Sequence, residues 1–130
     1  LIPIQCEFYA LEGLGHLTQT LDLVRRSSNP QLQVLGIVMT LFDGRTTLSS
    51  QVVEEVRHGY PELIFETVIP RNVRLSEAPS YGQSIAQYAP RSRGGQAYSA
   101  LSTEVAARLW HVLGPETEIK HPARAGEEVR

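Results

Sequence analysis

Apolar residues along the chain follow two rhythms, and they alternate. Leu1 to Gln5 is a short apolar run that predicts a buried strand. Over residues 10–27, Leu11, Leu14, Leu17, Leu21 and Val24 recur every three or four positions, which predicts an amphipathic helix. Gly13 and Gly15 weaken its first turns by roughly 1 kcal/mol each relative to alanine, so close backbone packing or a mobile start is expected there. Arg25 and Arg26 oppose the negative end of the helix dipole, and Ser27-Ser28-Asn29-Pro30 stops the helix. Leu32 to Thr40 is nearly continuously apolar, as in a strand covered on both faces. A loop over Leu41–Thr46 leads to a helix over Thr47–Arg57, striped by Leu48, Val52, Val53 and Val56 and closed by His58-Gly59-Tyr60-Pro61. Leu63 to Ile69 predicts a third strand, stopped by Pro70. Residues 71–90 are irregular, with a helical turn expected near Ser76–Ala78 and a short extra strand at Ile85–Tyr88. Gln96 to Leu113 is a last amphipathic helix, and residues 114–130 are expected to form a disordered tail.

Strand, helix, strand, helix, strand, loop, helix is βαβ repetition. It implies an α/β fold with a parallel sheet and right-handed crossovers. Ligands of such sheets bind beyond the carboxyl ends of the strands. Three segments lie there: Gln5–Glu12, Thr40–Thr46 and Pro70–Ser80.

Composition changes this picture little. The 130 residues are 42% hydrophobic and 20% charged, ordinary for a globular domain. No apolar run nears the roughly 18–20 residues of a membrane-spanning helix. The single cysteine, Cys6, excludes an internal disulfide framework and a multi-cysteine zinc site. No signal-peptide pattern opens the chain, which starts on Leu1 inside an apolar run, as a piece of a longer fold would. The net charge of −2 does not announce a nucleic-acid binder, but the charge is uneven. Between residues 71 and 93, Arg71, Arg74, Arg91 and Arg93 face only Glu77, so this segment can hold an anion.

Catalytic signatures are absent. No G-x-x-x-x-G-K-[ST] phosphate loop occurs, and the only lysine, Lys120, lies in the tail. His16, His58, His111 and His121 are scattered and are expected to be structural or solvated. Three loops carry the candidate chemistry, each with an ordinary alternative. Asp43-Gly44-Arg45 is either a base- or sugar-recognising loop with Asp43 as acceptor, or a plain strand-to-helix turn. Pro70-Arg71-Asn72-Val73-Arg74 is either a nucleotide or phosphate contact, or a solvated loop with surface ion pairs. Arg91-Ser92-Arg93-Gly94-Gly95 is either an anion site or a helix start capped by Ser92. Glu7 and Glu12 suit the positive end of the first helix dipole.

The strings Gln5-Cys6-Glu7-Phe8-Tyr9-Ala10-Leu11-Glu12-Gly13, Thr40-x-x-Asp43-x-Arg45-Thr46, Ile69-Pro70-Arg71-Asn72-Val73-Arg74-Leu75-Ser76-Glu77-Ala78-Pro79-Ser80 and Pro90-Arg91-Ser92-Arg93-Gly94 carry a resemblance. From Leu1 to about Trp110 the chain resembles the C-terminal half of a ParA/Soj-type chromosome-partitioning ATPase. The resemblance implies part of a parallel, helix-covered P-loop NTPase-type sheet without its N-terminal half, where that family keeps its phosphate loop and magnesium-binding carboxylates. It implies an intact protein that uses ATP and magnesium, dimerises on ATP, binds DNA without sequence preference and answers to a ParB-type centromere-binding partner. A cytoplasmic, nucleoid-associated bacterial protein acting on a chromosome or plasmid is therefore expected, with this chain alone unable to hydrolyse ATP. By the same resemblance, Asp43, Pro70, Arg71 and Asn72 belong to the adenine side of the nucleotide pocket. Arg45 and Arg74 belong to the DNA-binding surface, and Glu7 and Tyr9 lie near the dimer interface. Two other readings compete: a MinD-like membrane-associated ATPase, which needs a basic amphipathic C-terminal helix that Glu116–Arg130 does not resemble, and a stand-alone non-enzymatic α/β module.

Overall fold

The structure, a computed structural model, describes residues 1–114; the expected tail beyond Gly114, with Lys120 and His121, lies outside the described residues. Its elements run β1 (Ile2–Gln5), α1 (Ala10–Ser27), β2 (Ile37–Phe42), α2 (Thr47–Gly59), β3 (Ile64–Pro70), α3 (Val73–Glu77), a 3-10 turn (Ala78–Tyr81), α4 (Ile85–Tyr88) and α5 (Arg93–Leu113). The strands form a parallel sheet in the order β1-β2-β3.

Strand alternation splits the core in two. Ile2, Ile4, Ile37, Met39 and Ile64 point to one face, where Leu14 of α1 and Val52, Val53 and Val56 of α2 cover them. Val38, Phe65 and Ile69 point to the other face, against Leu101, Ala97 and Val105 of α5 and Leu75 of α3. Both crossover helices thus lie on one side and the last helix on the other, as the doubly apolar strands required. β1 is covered on one side only: Ile2 and Ile4 are buried while Pro3 and Gln5 are exposed.

Several boundaries differ from the sequence reading. β2 begins at Ile37, not Leu32, because ladder pairing begins there: Ile2 N–H donates to Gly36 O and Ile37 N–H to Leu63 O. Gly36 permits this approach. A Cβ on it would run into the Phe65 ring and lie 2.6 Å from Arg108 Nη1 and 2.8 Å from Leu63 O. The extra strand expected at Ile85–Tyr88 is instead the short helix α4, started by a capping box in which Ser84 and Gln87 satisfy each other's backbone N–H. α5 starts at Arg93, three residues earlier than expected, because Ser92 Oγ accepts from Gly95 N–H. Gly13 and Gly15 meet no neighbour within 4 Å of a built Cβ, so no close packing explains them. His16, His58 and His111 are exposed, as expected of solvated side chains.

Candidate anion-binding cleft

The site is assembled by two irregularities in the β2–β3 ladder. From Ile37↔Ile64 to Met39↔Val68, β2 advances two residues and β3 four, so β3 bulges at 65–67. From Met39↔Val68 to Phe42↔Pro70, β2 advances three and β3 two. The extra β2 residue spans Leu41, which stands at φ 53°, an uncommon place for a side-chain-bearing residue. Bulges bend strands and re-aim their ends. Here the two ends finish opposite each other, and Arg71 N–H donates to Phe42 O at 2.8 Å.

The loop after β2 is held by its neighbours. Thr46 caps α2, its hydroxyl donating to Asp43 O at 3.0 Å, and Asp43 N–H donates to the buried Ser49 Oγ at 3.2 Å. Asp43 then grips Arg45. Arg45 Nε donates to Oδ1 at 2.9 Å, Nη2 to Oδ2 at 2.7 Å, and the Arg45 N–H to Oδ1 at 3.1 Å. These bonds hold the Asp43 carboxyl well below the usual carboxylate range. The Arg45 side chain remains 86% exposed. Arg71, just after β3, reaches 3.1 Å from Glu7 in the β1–α1 loop. Phe42, Asp43, Gly44, Arg45, Arg71 and Arg93 line one open cleft of about 440 Å³.

The structure therefore brings together Asp43 and Arg71, expected on the base side of a nucleotide, with Arg45, expected on a DNA face. Pro70 closes β3 opposite Phe42, and Asn72 caps α3 through Oδ1, which accepts from Arg74 N–H at 3.0 Å; neither lines the cleft. Arg74 is apart from it. It lines a second depression with Tyr88, Pro90 and Arg91, and Nη1 donates to Glu77 at 2.9 Å. Tyr88 hydroxyl donates to the same Glu77 oxygen at 2.9 Å, and this bond, then Arg74, lowers the Glu77 carboxyl.

Arg93, read in the Arg91-Ser92-Arg93-Gly94-Gly95 string as a possible anion contact, joins the cleft although it is twenty-two residues beyond Arg71 in the chain. Two side chains escaped the sequence reading. On α5, Arg108 donates to Leu35 O, Leu63 O and Ile64 O at 3.2, 2.7 and 2.6 Å and lies 4.0 Å over the Phe65 ring. One turn earlier, Glu104 accepts from Glu66 and Thr67 N–H at 2.7 and 3.0 Å, satisfying the β3 bulge. A lone Glu-x-x-x-Arg on a helix carries no sign of such partners. Burial pushes the Cys6 thiol up to about 11, with Glu7 adding to it.

Among the described residues no group of three or more His, Cys, Asp or Glu could hold a metal ion. Among the same residues no helix is long and apolar enough to cross a membrane.

The family model of the CobQ/CobB/MinD/ParA nucleotide binding domain matches residues 7–85. The chain is 54% identical over 108 residues to the chromosome-partitioning ATPase Soj of Thermus thermophilus, covering 83% of this chain and 43% of that protein. It is 53% identical over 106 residues to the sporulation initiation inhibitor protein Soj of Bacillus subtilis, covering 82% and 42%. The chain thus spans about two fifths of the length of these relatives. Among solved structures, cobyrinic acid a,c-diamide synthase from Mycobacterium smegmatis matches with a TM-score of 0.58 and 30% identity, over 85% of this chain and 37% of that one.

Proposed function

The chain belongs to the CobQ/CobB/MinD/ParA nucleotide-binding family, and on that premise we propose that it is the portion of a ParA/Soj-type partition ATPase that carries the base side of the nucleotide pocket and part of a DNA-binding face. Its likeness to Soj and ParA partition proteins supports a partition role. In this reading the whole protein binds ATP with magnesium, dimerises on ATP, binds DNA irrespective of sequence and is turned over by a ParB-type partner at the nucleoid. The phosphate loop that hydrolysis needs is not among these 130 residues, so this chain contributes recognition and not chemistry.

One observation carries the proposal: loops from two parallel strands converge beyond their carboxyl ends on an arginine-lined cleft. That is where an α/β sheet binds ligands, and guanidinium forks suit phosphate oxygens. Asp43, Pro70, Arg71 and Asn72 are assigned to the base side. Arg45, in this cleft, and Arg74, in a second depression, are assigned to DNA.

Backbone contacts by arginine give salt-dependent, sequence-indifferent affinity. Arg45→Ala plus Arg74→Ala is therefore expected to weaken binding to unrelated duplexes equally, and to lower the salt slope by about one unit per lost contact. Duplex affinity at several salt concentrations, with ATP saturating, measures both. An unchanged affinity and slope refutes the DNA assignment.

A further inference from the structure

We infer that the cleft is a phosphate site completed by Arg93, with Glu7 as the resident carboxylate that an incoming phosphate displaces from Arg71. The inference rests on the reading above in taking a polynucleotide or a nucleotide as the source of that phosphate.

Charge comes first. The lining holds Arg45, Arg71 and Arg93 against Asp43 alone, a net charge of +2. Asp43 uses Nε and one Nη2 proton of Arg45, so the remaining guanidinium N–H groups of this exposed side chain are free for an anion. Among the described residues, the one side-chain hydrogen bond of Arg71 is to Glu7, from a loop sixty-four residues away in the chain. Both partners are half-exposed, at 53% and 52%. Such a pair is weak, and a phosphate with several acceptor oxygens competes with it readily. Among the described residues, Arg93 has no carboxylate partner at all. Its charge is unspent.

The position of Arg93 is also built. A Cβ on Gly94 would lie 2.6 Å from Leu75, and one on Gly95 would lie 2.6 Å from Pro90 O. These glycines let the first turn of α5 press against α3 and the 89–90 backbone. That contact brings Arg93 to the loops after β2 and β3.

The two roles make opposite predictions. Arg93→Ala removes a phosphate contact and should weaken binding about three- to tenfold, with a salt slope smaller by about one unit when the ligand is duplex DNA. Glu7→Gln removes the competitor and should tighten binding about two- to fivefold. The full chain, these two variants and Arg74→Ala are titrated with a labelled duplex and separately with ATP. Opposite shifts in duplex affinity alone assign the phosphate to DNA; opposite shifts in ATP affinity alone assign it to the nucleotide. If Arg74→Ala weakens duplex binding while Arg93→Ala changes neither ligand, the phosphate site is wrong and the DNA face stands. If the Arg93 and Glu7 variants shift ATP affinity while Arg74→Ala leaves duplex binding intact, the site stands and the Arg74 assignment falls. Weaker binding by Glu7→Gln, or no binding of either ligand by the unmodified chain, overturns the inference.

Discussion

Glu104→Ala tests how the β3 edge is held. The Glu104 carboxylate accepts the N–H groups of Glu66 and Thr67, at 2.7 and 3.0 Å, where β3 bulges away from β2. Arg108 lies 4.0 Å away and adds little direct bonding. The carboxylate side chain is 23% exposed and Glu66 is itself exposed, so water can replace part of what is lost. The cost is therefore about 1 kcal/mol per bond and about 2 kcal/mol for both. By native-state hydrogen exchange, the Glu66 and Thr67 amides should exchange about 10- to 30-fold faster, while Ile37 and Met39 in β2 change less. The urea midpoint should fall by about 1 M. Protonation provides a second readout. Burial raises the Glu104 carboxyl, but the Glu66 and Thr67 N–H bonds, the Thr67 side chain and the Arg108 charge together outweigh it, and the net shift is downward from 4.5. A carboxyl lowered by folding stabilises the protein above its unfolded value and loses that contribution as pH falls through the folded one. The gap between the wild-type chain and Glu104→Ala should thus be constant near neutrality and narrow below about pH 4.5. Unchanged exchange at Glu66 and Thr67, or a gap that does not narrow in acid, refutes this account of the bulge.

Gly13→Ala and Gly15→Ala should each stabilise the chain by about 0.5–1 kcal/mol, because both lie in α1 with open space around a new Cβ; the urea midpoint reports it. Gly95→Ala should cost more than Gly94→Ala, about 2 kcal/mol or more, since its Cβ meets the fixed carbonyls of Ala89 and Pro90 while that of Gly94 meets the movable Leu75 side chain. Arg108→Lys should destabilise by about 1–2 kcal/mol despite keeping the charge, because one ammonium cannot reach the Leu35, Leu63 and Ile64 carbonyls as the fork does; a melt comparison with Arg108→Met separates fork from stem. Cys6 should resist iodoacetamide at pH 8 and react once the chain is unfolded in urea, because its thiol is buried and pushed up to about 11.

What the sequence determined by itself is the order and type of the main elements. Apolar periodicity is a local signal, and each crossover helix and strand carries enough of it: Leu14, Val52, Val53 and Val56 fall on the buried faces that their spacing requires. Parallel pairing and the placement of the ligand-facing loops then follow from βαβ chirality alone. A four-residue segment is too short to show such a period. Ile85–Tyr88 therefore read as a strand, although the Ser84–Gln87 capping box makes it a helix. The tertiary structure alone decided which charged side chains meet. Bulges at 65–67 and around Leu41 set the ends of β2 and β3 in register, and the close approach at Gly94 and Gly95 seats α5. Those contacts put Arg93 with Arg45 and Arg71, leave Arg74 to a separate depression, and send Glu104 and Arg108 to backbone groups of β3. Side chains that long report their partners only after the backbone has brought distant segments within a few ångströms, because nothing in their spacing encodes the distance between loops.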